Sequence, residues 1–418
     1  MKGGDLRSPV VARSADRARR IWGWVVRGKW QRAALVDPQQ AGPGGGSGHS
    51  GVLWMGSNRE ILENLFRTGG IDLVRGPIFD QSPAPLPDDL GFSKVEGMLL
   101  GLVIGETLGM TTEGWTPEKR RTTYGEIRDY LPPPHGEEPI ALTSDDLQLA
   151  FCTVEQMLVD GAFRPERVAD HFLHRHIFGR GFTVRRFLAN RRSGLPWYQC
   201  GPKSSRNGAL VRIAAMVIPH LKNPTSELWV DTALSAMITH NDAASTASCL
   251  ALVHILWSLF GMDEAPDPPW WLERYVSVAR QLEGETKYRV RSGKFVDYEG
   301  PVWRFVEQRV WEAYGNGLTV LQACSQWHSG AELIETVPSL IYILMCHGAQ
   351  SEEAVVRAVN DTEDNDTIAA MVGAAMGALY GTGCFPAHWV KNLPQHPTHQ
   401  EGETVFGLLA SVRKMWWE

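Results

Sequence analysis

Apolar residues recur every three or four positions over most of the chain after Ser93, which is the period of helices that bury one face or more. That period predicts helices over 92–109, 144–160, 207–221, 228–239, 242–260, 269–283, 302–314, 331–346, 352–360, 364–380 and 404–416. A shorter amphipathic stretch, 59–67, places Ile61, Leu62, Leu65 and Phe66 on one side. Alternating strand patterns are scarce, and no repeat period of the solenoid type emerges. The expected fold is all-α: a single compact multi-helix domain over residues 91–418. Pro83, Pro85 and Pro87 close the stretch before it, so residues 1–90 are expected to form an N-terminal extension, basic and Gly/Pro-rich and flexible in part.

Two of these helices carry small residues four apart: Gly97, Gly101, Gly105 and Gly109 in one, Gly373, Gly377 and Gly381 in the other. Such a face admits close approach by a second helix. Just ahead of the second run stand Asp361, Glu363, Asp364 and Asp366, four carboxylates in six positions, followed by the hydroxyl of Thr367. Asp364 and Asp366, two apart on non-helical backbone, can aim at one point and with Thr367 offer the all-oxygen set that Mg²⁺ or Ca²⁺ takes. The same residues also make an acidic helix cap, and the pattern alone leaves both readings open. The 144–160 helix repeats the theme, with Ser144 as cap and Asp145 and Asp146 in the first turn above a stripe of Leu147, Phe151, Val154 and Leu158. Paired in space, the two helix starts would hold one hard cation or bridge two. Glu113, just past the first glycine run, is a third carboxylate, turned either into a cleft or into solvent. His240 ends an apolar helix, where a dipole partner, a core residue and a cleft residue are alternatives.

The 418 residues are 43 % apolar, enough for a sizeable core, and the net charge of −6 speaks against a general nucleic-acid binder. Basic residues concentrate only in residues 1–40, beside Trp22, Trp24 and Trp30, and a glycine-rich linker follows over 42–51. This arm reads as a segment that orders on a partner; an organelle-targeting leader is the other reading, against which Asp5 and Asp16 weigh. No apolar run is read as reaching the roughly 18–20 residues of a membrane span, and no secretory h-region follows the start, so a cytoplasmic protein is expected. The six cysteines lie far apart without a Cys-x-x-Cys pair, the distribution of reduced core thiols rather than of a zinc site or disulfide frame.

Taken in order, Gly101-Leu-Val-Ile-Gly105-Glu106-Thr-Leu-Gly109 with Glu113, Ser144-Asp145-Asp146-Leu147, Asn207-Gly208-Ala-Leu-Val-Arg212, Thr239-His240 and Asp364-Asn-Asp366-Thr367 resemble the ADP-ribosylglycohydrolase family, which includes dinitrogenase reductase-activating glycohydrolase and the ADP-ribosylarginine hydrolases. The resemblance spans about residues 93–390. It implies a helical fold with two Mg²⁺ ions (Mn²⁺ in some members) and hydrolysis of the bond joining ADP-ribose to a protein side chain, usually arginine. Carried over by position, it implies metal ligation by Ser144, Asp145, Asp146, Asp364, Asp366 and Thr367, with Asp146 or Asp364 taking the proton of the attacking water. It implies that Glu113 is a mobile glutamate over the metals, and that Ser204, Ser205, Asn207, Gly208 and His240 line the substrate cleft; Arg212 reads as structural. The expected partner is an ADP-ribosylated protein, and an alternative is an immunity protein whose extension occludes an ADP-ribosyltransferase toxin. Three departures stand out: Ser144 and Leu147 replace the threonines of the family's Thr-Asp-Asp-Thr, Glu106 replaces an aspartate, and the extension is not a feature of the core family.

Overall fold

The computed structural model describes residues 56–131, 144–393 and 405–418. The basic arm and its glycine linker, with the docking and targeting readings that rest on them, lie outside these residues. The described chain opens with α1 (Asn58–Thr68), which begins at a capping box between Ser57 and Glu60 and stops at Gly69 in the left-handed conformation (φ 68). There follow α2 (Phe92–Met110), α3 (Pro117–Tyr124), α4 (Asp145–Asp160), α5 (Pro165–His174), α6 (Phe182–Arg192), α7 (Gly208–Ile213), α8 (Glu227–Thr239), α9 (Ala243–Phe260), α10 (Pro268–Glu283), α11 (Val302–Gly315), α12 (Val320–Trp327), α13 (Leu333–His347), α14 (Ser351–Asp361), α15 (Asn365–Tyr380), α16 (Ala387–Lys391) and α17 (Val405–Trp416). Strand structure among the described residues is one antiparallel pair, Tyr288–Arg289 with Glu299–Gly300. The fold is all-α, as the periodicity predicts.

The predicted helix over 207–221 divides. Its first part is α7, and Ala214–His220 continues as a 3₁₀ segment with Pro219 inside, a residue that removes a backbone donor. Five helices carry no prediction: α3, α5, α6, α12 and α16.

At the centre, α2 and α15 run antiparallel with their glycines interleaved. A Cβ on Gly101 would overlap the Gly373 carbonyl, one on Gly105 the Ala369 carbonyl, and one on Gly97 the backbone of Gly377 and Gly381. Backbone therefore lies on backbone along the length of the contact, and only residues without a Cβ permit it. The ends are tied by hydrogen bonds. Thr382 donates its N–H to Ser93 Oγ at 3.1 Å, and Asn365 Nδ2 donates to Thr112 Oγ1 at 3.0 Å. Arg120, fully buried, clamps α3 beneath the site by donating to the Asn360 and Thr362 carbonyls at 3.0 and 2.9 Å and to Thr112 Oγ1 at 2.9 Å.

The segment 57–90, placed in the extension by sequence, packs against α8 and α9. Leu62, Leu65, Ile71 and Phe79 are buried there. Asn58 Nδ2 donates to Asp231 Oδ1 at 2.7 Å, while the indoles of Trp229 and Trp257 donate to the Gln81 and Ala84 carbonyls at 2.8 and 2.7 Å. The Ala84 carbonyl, between Pro83 and Pro85, is open to one of these indoles because the prolines keep the stretch out of regular backbone pairing. Helix α9 is 18 residues long and apolar enough to cross a membrane by composition, against the sequence expectation; 89 % of it is buried inside the fold, the mark of a core helix.

Candidate metal and substrate site

Ser144 caps α4: its Oγ accepts from the N–H groups of Asp146 and Leu147 at 3.2 and 3.3 Å. Its own N–H donates to Glu106 Oε1 on α2 at 2.7 Å, so the helix start is pinned to the glycine helix. Asp145 Oδ2 accepts from the Gly181 N–H at 2.8 Å. Asp146 lies half-buried, and burial, then repulsion from Asp145, Glu106 and Asp364, pushes its carboxyl well above the usual range.

The start of α15 meets α4 from the other side. Asn365, between Asp364 and Asp366, donates its side-chain amide to Thr112 Oγ1 and the Val359 carbonyl. Asp364 Oδ2 accepts from Asn207 Nδ2 at 2.6 Å, and Asp366 Oδ1 accepts from the Thr367 N–H at 2.8 Å. Burial raises the Asp364 carboxyl to about 6, with the Asn207 bond opposing and the Glu113 charge assisting. Burial, then Glu113 and Asp364, raises Asp366 well above the usual range. Glu113 itself is exposed on the loop after α2, where Gly114 donates its N–H to the Glu363 carbonyl at 3.0 Å.

The loop before α7 completes the constellation. A Cβ on Gly208 would stand 2.8 Å from Asp146 Oδ1 and 3.2 Å from His240 Cε1, so glycine lets the loop, α4 and the end of α8 converge. His240 is buried, shares a hydrogen bond of 2.9 Å with Thr239 Oγ1, and is pushed down to about 3 by burial and then by Arg212, which keeps the imidazole neutral. Arg212, buried, donates to the Ser235 carbonyl and Thr239 Oγ1. Ser204 Oγ shares a bond with Thr183 Oγ1 and Ser205 Oγ donates to Glu332 Oε2, so these two hydroxyls are bonded to α6 and to the start of α13 rather than to the carboxylates. The Asn207 N–H donates to the Ala331 carbonyl at 3.0 Å. It is therefore not a free donor for a phosphate. A cavity of about 530 Å³ lies beside the site, lined by Glu363 and Asp361 but by none of Asp146, Asp364 or Asp366.

Carboxylates from α2, α4, α15 and the Glu113 loop thus crowd one region, and mutual repulsion raises several of them. Crowded anions with hydroxyls form the oxygen set that hard divalent cations take.

Residues 87–415 match the profile of the ADP-ribosylglycohydrolase family. The chain belongs to that family. Among relatives, it is similar to a protein of Archaeoglobus fulgidus of unassigned function, 28 % identical over 72 % of this chain and 91 % of the relative. It is also similar to the ADP-ribosylarginine hydrolase Tri1 of Pseudomonas putida, 23 % identical over 74 % of this chain and 76 % of that one. A solved structure described as an ADP-ribosylglycohydrolase-related protein complex superposes with a TM-score of 0.56 at 24 % identity, covering 77 % of this chain and 98 % of its own, which shows a shared fold. The protein is thus a glycosidic-bond hydrolase.

Sequence reading of this ADP-ribosylglycohydrolase named Asn207 as a cleft residue but not as a partner of Asp364, and it missed Glu335 and Ser329. Asn207 holds Asp364 through its side chain. Glu335, fully buried and bonded to Arg291 at 2.9 Å, adds negative charge behind Asp364. Ser329 accepts the Asp364 N–H at 2.9 Å through its carbonyl. Glu335 had a signal, a lone acid in an otherwise apolar helix; Arg291 and Ser329, in loops, had none.

Proposed function

We propose that this glycohydrolase releases ADP-ribose from arginine side chains of modified proteins, with two Mg²⁺ ions held by Ser144, Asp145, Asp146, Asp364, Asp366 and Thr367. The observation that carries the reading is the meeting of Asp146 with Asp364 and Asp366 from two helix starts, beside Gly208 and His240. The similarity to a relative named ADP-ribosylarginine hydrolase supports arginine as acceptor. When bound, the cations supply positive charge against which ribose hydroxyls align and water loses a proton more readily.

The side chains do the rest. Asn207 fixes one oxygen of Asp364 at 2.6 Å, and the Thr367 side chain also bonds this carboxylate. Asp364 or Asp146 takes the proton of water as its oxygen attacks the anomeric carbon and the carbon–nitrogen bond breaks. The guanidine nitrogen leaves with the bonding pair and takes up the proton that the carboxylate received from water, which restores the carboxylate. Gly208 lets the ribose and phosphates approach the backbone closely, and neutral His240 offers a hydrogen bond without added charge. Glu113, exposed on its loop, closes over the bound ribose.

The test is release of ADP-ribose from arginine-modified and serine-modified protein by the purified chain, with Mg²⁺ or with excess EDTA. Release from arginine alone, abolished by EDTA and by Asp364→Asn with Asp366→Asn, is expected. Release unaffected by EDTA would overturn the metal assignment, and release from serine alone the acceptor.

A further inference from the structure

We infer that Glu106 supplies a further carboxylate oxygen to the cation centre, beyond the helix-start aspartates. The inference rests on the proposed metal site and deepens it. Glu106 is 1 % exposed, on a helix whose buried residues are otherwise apolar or small apart from Thr107. Its two oxygens differ. Oε1 accepts the Ser144 N–H at 2.7 Å, whereas Oε2 has no hydrogen-bond partner although it is buried. A buried carboxylate oxygen left without a donor is costly, and native structures rarely tolerate one without a ligand or functional reason.

The surroundings say which ligand. Glu106 lies between Gly105, pressed on the Ala369 carbonyl, and Gly109, where a Cβ would stand 2.5 Å from Asp366 N and Cα. The glycine contact therefore brings the Glu106 backbone within a turn of the start of α15, while its Oε1 bond ties it to the start of α4. The charges nearest to it are Asp145, Glu113, Asp146 and Asp366, all negative. An anion at the junction of two anionic helix starts with one free oxygen has the chemistry of a ligand to a hard divalent cation.

Glu106→Gln separates this role from capping, because the amide oxygen still accepts the Ser144 N–H. The experiment titrates Mg²⁺ and, separately, Mn²⁺ into the EDTA-stripped full chain by calorimetry and records melting with and without metal. Metal-free E106Q is expected to melt no lower than the parent, to bind metal roughly tenfold or more weakly, and to gain less on metal addition. Glu106→Ala, which removes both oxygens, is read for the same loss of metal affinity should E106Q not fold. Parental affinity in E106Q would overturn the inference and leave the metal site standing. Absence of metal binding by the parent chain would overturn both.

Discussion

Glu283 shows how much a single buried carboxylate does away from the site. Its Oε1 accepts the Val302 N–H at 2.6 Å and its Oε2 the Trp303 N–H at 2.9 Å, so an acid at the end of α10 caps α11, which has no cap of its own. Burial raises its carboxyl to about 7 from an ordinary 4.5. Because the folded value lies above the unfolded one, its contribution is fully present below about 4.5 and is lost as pH rises through about 7. The loss amounts to roughly 3 kcal/mol. Glu283→Ala should lower stability at pH 5 by about 2 kcal/mol, the cost of two orphaned N–H groups, and should flatten the fall between pH 5 and 8; urea melts across that range check both. At the site, Asn207→Ala should free Asp364 and reduce kcat/KM on arginine-modified substrate by roughly 10- to 100-fold, while the circular dichroism spectrum stays native. Sequence pattern showed the aspartates, hydroxyls and His240 as candidates. It did not show that Asn207 bonds to Asp364 or that Glu106 keeps one oxygen free, because residues far apart in the chain make both relationships.

Among the elements, legibility followed the width of the buried face. Helices α2, α9, α13 and α15, apolar or small nearly all round, were read within a few residues of their ends. Helix α5 buries only Pro165, Val168, Ala169 and Phe172, a narrow stripe within a short charged segment. Helix α3 buries Arg120 alone, so it has no apolar period to read, and hydrogen bonds of that guanidinium hold it in place. The glycine contact makes the sharpest prediction at this scale. Gly101→Ala places a methyl against the Gly373 carbonyl, where no side chain can yield, and should destabilise by about 3 kcal/mol or more. A calorimetric melt of that variant checks it. Gly114→Ala, on a loop with open space around its Cα but at φ 71, should cost only about 1 kcal/mol.

For the whole molecule, the apolar period foretold a helical body but not where it begins. The packed segment 57–90 looked like a tail because its prolines suppress helical period, yet two indoles and five apolar side chains fasten it to the body. A chain starting at residue 91 should therefore melt more than ten degrees below one starting at residue 57, as burial of those side chains at about 1.5–3 kcal/mol each implies; differential scanning calorimetry of the two would show it. The α2–α15 contact has one more consequence. Because glycines repeat every four residues on both helices, sliding by one full turn would set Gly101 against Gly377 and Gly105 against Gly373, again glycine on glycine. The contact is a ratchet with equal teeth, and the bonds at its ends, Ser93 with Thr382 and Thr112 with Asn365, select the notch. One notch is about 6 Å of travel, whereas oxygens of the proposed centre would have to close on a hard cation to within about 2.5 Å. On the proposed reading the two halves of that centre are either in gear or wholly out of it, and loosening the end bonds would yield a mixture of competent and incompetent molecules rather than a uniformly weakened one.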